Sequence, residues 1–172
     1  MKPKIKLSKN VDVWFDGTFV GTPHWISYVD RVELGDKALN ALMQAGTKFS
    51  NKYNYAMREN PALFLGAKSE IPDGGLQKCF DEYTKSNPKN AVTYSITNFQ
   101  QRAYDGAPFR AVFVPANKPV NVHGPQAVCI DTDYVPLLDG CDKITSQGIE
   151  LPLVGWLNGK PVCIVMSIRM KE

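Results

Sequence analysis

Asn158-Gly159, set between two apolar runs near the end of the chain, constrains the fold more than any other feature of the sequence. A two-residue type I′ turn needs positive φ at both central positions, and an Asn-Gly pair meets that need at little steric cost. The pair predicts a hairpin of two strands, Ile149–Leu157 and Pro161–Met170. Upstream, Ala127–Ile130 is a short apolar run, and Asp131-Thr132-Asp133 follows as a helix-start signal. With Asp133 as N-cap, Pro136 falls at the third helical position, where an N–H would have no intrahelical partner in any case. The helix carries Tyr134, Val135, Leu137 and Leu138 and stops at Gly140. The chain therefore closes with a strand, a short helix and a hairpin.

Earlier segments read less regularly. Lys4–Leu7 alternates charged and apolar residues, as an edge strand does. Val11–Phe15 and Thr18–Val20 flank Asp16-Gly17, a second hairpin turn, and a strand resumes at His24–Val29 after Pro23. A helix is expected from Asp36 to Ala45, closed by Gly46, and a second from Leu76 to Lys85. In the second, Leu76, Cys79, Phe80 and Tyr83 share one face. Short strands are expected at Ala62–Ala67, Val92–Thr97, Phe109–Val114 and Val120–Val122. Hairpins mixed with two to three helices, without regular βαβ spacing, predict an α+β fold of antiparallel sheets. With no compositional break and no repeat, the expectation is a single domain over 1–172, with room for an insertion around 47–90.

The composition is that of a globular protein, 44% hydrophobic and 22% charged. No apolar run reaches the length of a membrane span, and the basic start MKPKIKLSKN lacks the apolar stretch of a secretory signal. A cytoplasmic protein is expected. The net charge of +3 is modest for a nucleic-acid binder, so the placement of the lysines matters more than their sum. Lys2, Lys4, Lys6 and Lys9 cluster at the start, and Lys48, Lys52 and Arg58 alternate with Phe49, Tyr53 and Tyr55. The second stretch reads either as a phosphate- and base-contacting segment or as an ordinary surface loop.

Chemical motifs are sparse. The four cysteines form no C-x-x-C pair, and both histidines, His24 and His123, stand apart from them, which argues against a zinc site. Cys129 and Cys163 lie in apolar runs and read as small core residues. A Cys129–His123 nucleophilic pair would need a thiolate, which a core strand disfavours. No Walker, dinucleotide, G-x-S-x-G or H-E-x-x-H pattern is present. Asp131 and Asp133 read as helix caps before they read as a catalytic carboxylate pair. Trp14, Phe15, Phe19 and His24-Trp25 form an aromatic group that either stacks bases or packs inside the fold. The chemistry expected is non-enzymatic, with no cofactor and no metal. The enzymatic alternative would place a pocket near His24 or His123.

The closing stretch, with Asp133, Tyr134, Leu137 and Leu138 on the helix and Ile164-Val165-Met166-Ser167-Ile168-Arg169-Met170 at the end, resembles the last half-domain of a bacterial DNA sliding clamp. In that family the terminal run reads like V-V-M-P-M-R-L. Here Ser167 stands in place of the proline, and Lys171 and Glu172 extend the end. The resemblance implies a clamp-like domain in a protein of DNA metabolism, of the kind that phages and mobile elements encode. It further implies assembly into a homo-oligomeric ring. Lys37, Lys78 and Lys85 on helices, together with Lys48, Lys52 and Arg58, become candidate contacts to DNA phosphates. Ile164, Met166, Ser167, Ile168, Arg169 and Met170 become candidates for holding a peptide from a polymerase or another protein partner. The alternative is a monomeric protein-binding or inhibitor module that reuses a clamp-like fold.

Overall fold

The computed structural model describes residues 2–4, 14–15, 18–33, 56–57, 64–65, 75–85, 92–101, 110–116, 127–148 and 151–168. Within them the protein is α+β, and the strand pairings inside each of its units are antiparallel. The predicted helix Asp36–Ala45, the strand Val120–Val122 and the turn residues Asp16-Gly17 lie outside the described residues. The chain divides into two compact units, Met1–Glu82 and Tyr83–Glu172.

In the first unit, β1 (Trp14–Phe15), β2 (Phe19–Thr22) and β3 (Trp25–Tyr28) form an antiparallel meander. β1 and β2 pair antiparallel on either side of Asp16-Gly17, but Phe15 stands opposite Val20, not opposite Thr18 as a two-residue turn at that pair would require, and β2 starts at Phe19. Between β2 and β3, Thr22 Oγ1 accepts the His24 N–H at 3.1 Å, a local bond that turns the chain within two residues. A 3₁₀ turn, Val29–Arg31, follows β3. A small ladder pairs β4 (Ala56–Met57) with β5 (Phe64–Leu65).

Helix α1 spans Gly75–Thr84, one residue from its predicted bounds. Leu76 and Phe80 are buried, while Gln77, Lys78 and Glu82 are exposed, as the 3.6-residue period requires. Phe19 and Tyr28, cross-strand partners on β2 and β3, hold their rings 4.6 Å apart. Phe80 completes the cluster, 4.8 Å from Phe19 and 5.4 Å from Tyr28. These centroid distances fall in the favourable range for tilted aromatic pairs.

In the second unit six strands lie in the order β8-β7-β6-β9-β10-β11. They are β6 (Val92–Gln101), β7 (Arg110–Pro115), β8 (Val128–Asp131), β9 (Lys143–Ser146), β10 (Leu153–Leu157) and β11 (Lys160–Val165). Ala111, Val112, Phe113 and Val114 are all buried. Successive strand residues point to opposite faces, so β7 is covered on both. β11 is likewise buried from Val162 to Val165. β6 runs four residues beyond its predicted end, and a bulge between Ile96 and Gln100 lets the longer strand stay paired with β7.

The Asn158-Gly159 turn forms as expected, with φ of 52° and 73° and with Leu157 opposite Lys160. The strands it joins are shorter than the sequence predicts. Ser146 Oγ donates to the Gly148 carbonyl at 2.8 Å, and Leu151 N–H to the same carbonyl at 3.1 Å, so that carbonyl is spent on local bonds. Pro152 has no N–H to give a ladder, and β10 begins only at Leu153. The sequence carries no strand signal for β9. Its one apolar residue, Ile144, gives no alternating pattern, and it exists as a strand because β6 and β10 pair with its two edges. Pro161 also lacks a donor, and the β10–β11 register shifts by one residue beside it, between Gly155 and Trp156.

The helix start also differs from expectation. Asp131, not Asp133, is the capping residue: its Oδ1 accepts the Asp133 N–H at 2.9 Å, and Thr132–Tyr134 form a 3₁₀ turn first. Helix α2 then covers Val135–Leu138, with Pro136 in its first turn and Leu137 and Leu138 buried. Gly140, at φ 77°, ends it as predicted.

Two stability measurements check this account. Replacing Asn158-Gly159 with Ala-Ala forces two Cβ-bearing, non-amide residues into positive φ, and chemical denaturation should show a loss of about 1–3 kcal/mol. Phe80→Ala empties the centre of the aromatic cluster and should cost about 3–5 kcal/mol in the same assay.

Candidate functional site

The residues singled out by sequence fall into three groups. Lys37, Lys48, Lys52, Arg58, Arg169, Met170 and His123 lie outside the described residues. Lys78 and Lys85 are both exposed, the first on α1 and the second just past its end. Seven residues separate them, two helical turns. Glu82 is also exposed, four residues from Lys78, so the outer surface of α1 carries both signs of charge.

The third group is the terminal run. Ile164 lies within β11 and is 1% exposed, so its side chain belongs to the core. Met166, Ser167 and Ile168 follow β11 and are all partly exposed. Their backbone does not drift away. The Ile168 N–H donates to the Cys129 carbonyl at 2.8 Å, which fastens the run against β8, the outermost strand of the unit. One carbonyl of β8 is thereby occupied. The result is a short strip of Met, Ser and Ile side chains held on a fixed backbone.

At its turn end the hairpin is braced by contacts that join distant parts of the sequence. The Asn158 N–H donates to Asp142 Oδ2 at 2.7 Å, and the Asp142 N–H donates to the Trp156 carbonyl at 3.0 Å. Trp156 Nε1 donates to the buried Thr145 Oγ1 at 2.8 Å, giving a large amphipathic ring a partner for its one polar atom. Asp142, Thr145 and Trp156 gave no signal in the sequence. Their roles depend on β9 lying beside β10, and β9 itself has no strand pattern.

The aromatic and cysteine candidates resolve toward packing where they are described. Trp25 is 1% exposed and offers no face to a nucleic-acid base, whereas His24 is exposed in the β2–β3 turn. Cys129 and Cys163 are buried in β8 and β11. Cys79, half-buried on α1, has its thiol pushed above the ordinary range, first by burial and then by the negative charge of Glu82 one turn away. Burial likewise raises the Tyr94 phenol on β6. Among the described residues no three His, Cys, Asp or Glu side chains gather as a metal centre would require. No described helix is long and apolar enough to cross a membrane.

No protein-family model, no curated protein and no solved structure matches this chain. The physical description of the site therefore rests on its own residues.

The Cys79 assignment has a direct check. Its alkylation by iodoacetamide should require a higher pH than a free peptide thiol. In Glu82→Gln the rate-against-pH curve should move to lower pH without reaching the peptide curve, because burial remains.

Proposed function

We propose that this protein acts without catalysis, as a clamp-like component of DNA metabolism that uses its terminal strip to hold a protein partner. The observation that carries this reading is the half-exposed run Met166-Ser167-Ile168, tied to β8 at the end of the strand–helix–hairpin segment that bears the clamp resemblance. A partner peptide with one apolar anchor meets two apolar side chains there, and the fixed backbone lowers the entropy lost on binding. DNA enters through phosphate contacts alone. Lys78 and Lys85 are exposed and two turns apart, which suits contact with a repeating backbone charge and carries no base recognition.

A second reading, a monomeric protein-binding or inhibitory module, draws on a different observation. Glu82 shares the exposed part of α1 with Lys78 and weakens its positive field. That arrangement suits a protein surface of mixed charge better than a polyanion.

Absolute mass in solution, measured by light scattering at low and physiological salt, separates the two. The clamp reading expects a discrete closed oligomer that stays on circular DNA and slides from linear DNA. A monomer indifferent to DNA would overturn it and favour the second reading. If DNA is bound, charge reversal at Lys78 and Lys85 should weaken binding uniformly across sequences. It should also flatten the salt dependence by about one unit of slope per lysine. A sequence-selective loss would contradict phosphate contact.

A further inference from the structure

Two cysteines far apart in sequence converge on one point of the second unit. Cys163 on β11 donates its thiol proton to the Leu137 carbonyl at 3.2 Å, and Cys141, just past α2, approaches the same carbonyl at 3.8 Å. Gly155 on β10 lies opposite Cys163 in the ladder. A Cβ at Gly155 would stand 2.7 Å from the Cys141 sulfur and 2.7 Å from the Cys163 sulfur. The two sulfurs are therefore no more than twice 2.7 Å apart. The two sulfurs can come this close to the β10 backbone because residue 155 has no side chain to hold them apart. Cys163 is fully buried, whereas Cys141 is partly exposed, so one member of the pair is within reach of a small reagent.

From this arrangement we infer that Cys141 and Cys163 form a redox modification site, closed to a disulfide by a hydroperoxide. The Cys141 thiolate attacks the peroxide oxygen. The O–O bond breaks, hydroxide leaves, and Cys141 becomes a sulfenic acid. The Cys163 sulfur then attacks the Cys141 sulfur and gives up its proton, so the S–S bond forms and the S–OH bond breaks with loss of water. Two thiols and one hydroperoxide become one disulfide, one water and one water or alcohol. The two sulfurs lose two electrons in total, and the peroxide gains them. A disulfide bond is about 2 Å long. Each sulfur reaches that distance by turning about its own Cα–Cβ bond into the space beside Gly155, and both release the Leu137 carbonyl as they do so.

The product ties the end of α2 to β11 and encloses β9, β10 and the Asn158-Gly159 turn in one covalent loop. A cross-link of that span restricts the unfolded chain and stabilises the second unit. The inference is independent of DNA or partner binding, since it concerns only the chemistry of the two thiols.

Peptide mapping under non-reducing conditions tests it on the full-length wild-type chain treated with hydrogen peroxide. The expected result is a loss of two hydrogen atoms in mass and a Cys141–Cys163 cross-linked peptide, with Cys79 and Cys129 still alkylated after denaturation. Tm should rise by several degrees and return on adding dithiothreitol. Cys141→Ser should abolish both the cross-link and the Tm rise. Free Cys163 alongside sulfinic acid at Cys141, a cross-link to Cys79 or Cys129, or four alkylatable thiols after treatment would each overturn the inference. The mapping needs no variant, so poor folding of Cys141→Ser would leave the test intact.

Discussion

The register set by two positive-φ residues underlies the whole second unit. Asn158 and Gly159 close the hairpin in two residues, and that closure fixes which side chains of β10 and β11 face each other. A slip of one residue would turn every side chain of β11 to the opposite face. With both faces of Val162–Val165 buried, the effect would not be an exposed face but a misfit of volumes throughout the core. The same register puts Gly155 opposite Cys163, where a larger residue would collide with two sulfurs. It also delivers Met166-Ser167-Ile168 to β8 in time for the Ile168 N–H to meet the Cys129 carbonyl.

Backbone accounting explains the irregular places. The prolines at 152 and 161 have no N–H to contribute, and each coincides with a departure from regular pairing. The Ser146 hydroxyl lies within hydrogen-bond reach of the Gly148 and Leu151 carbonyls, and Asp142 braces the hairpin turn by accepting the Asn158 N–H. These side chains do locally what the ladder cannot, so that polar groups near the core find partners. In the first unit the corresponding device is Thr22, whose hydroxyl accepts the His24 N–H between β2 and β3.

The proposed roles share the end of the chain but ask different things of it. Partner capture needs the half-exposed strip after β11, while the thiol chemistry needs buried Cys163 and half-buried Cys141. Leu137 anchors the thiol pair, because its side chain packs in the core and its carbonyl receives both thiols. α2 is only four residues long, too short to be stable by its own hydrogen bonds, and it depends on these tertiary contacts.

Local sequence determined the features whose physics is local. Asn158-Gly159 could form only a tight turn, Leu76, Cys79, Phe80 and Tyr83 could share a helix face, and Gly140 could end a helix. Even the buried character of Cys129 and Cys163 was legible from the apolar runs around them. Tertiary structure decided what depends on pairing between distant segments. It made a strand of Lys143–Ser146, chose Asp131 over Asp133 as the cap, extended β6 past Thr97 and set Cys141 beside Cys163. Neither Ile144 nor Cys141 carries a periodic signal of its own. Their environment is supplied by β6, β10 and α2, and a chain read one segment at a time holds no record of which neighbours will arrive.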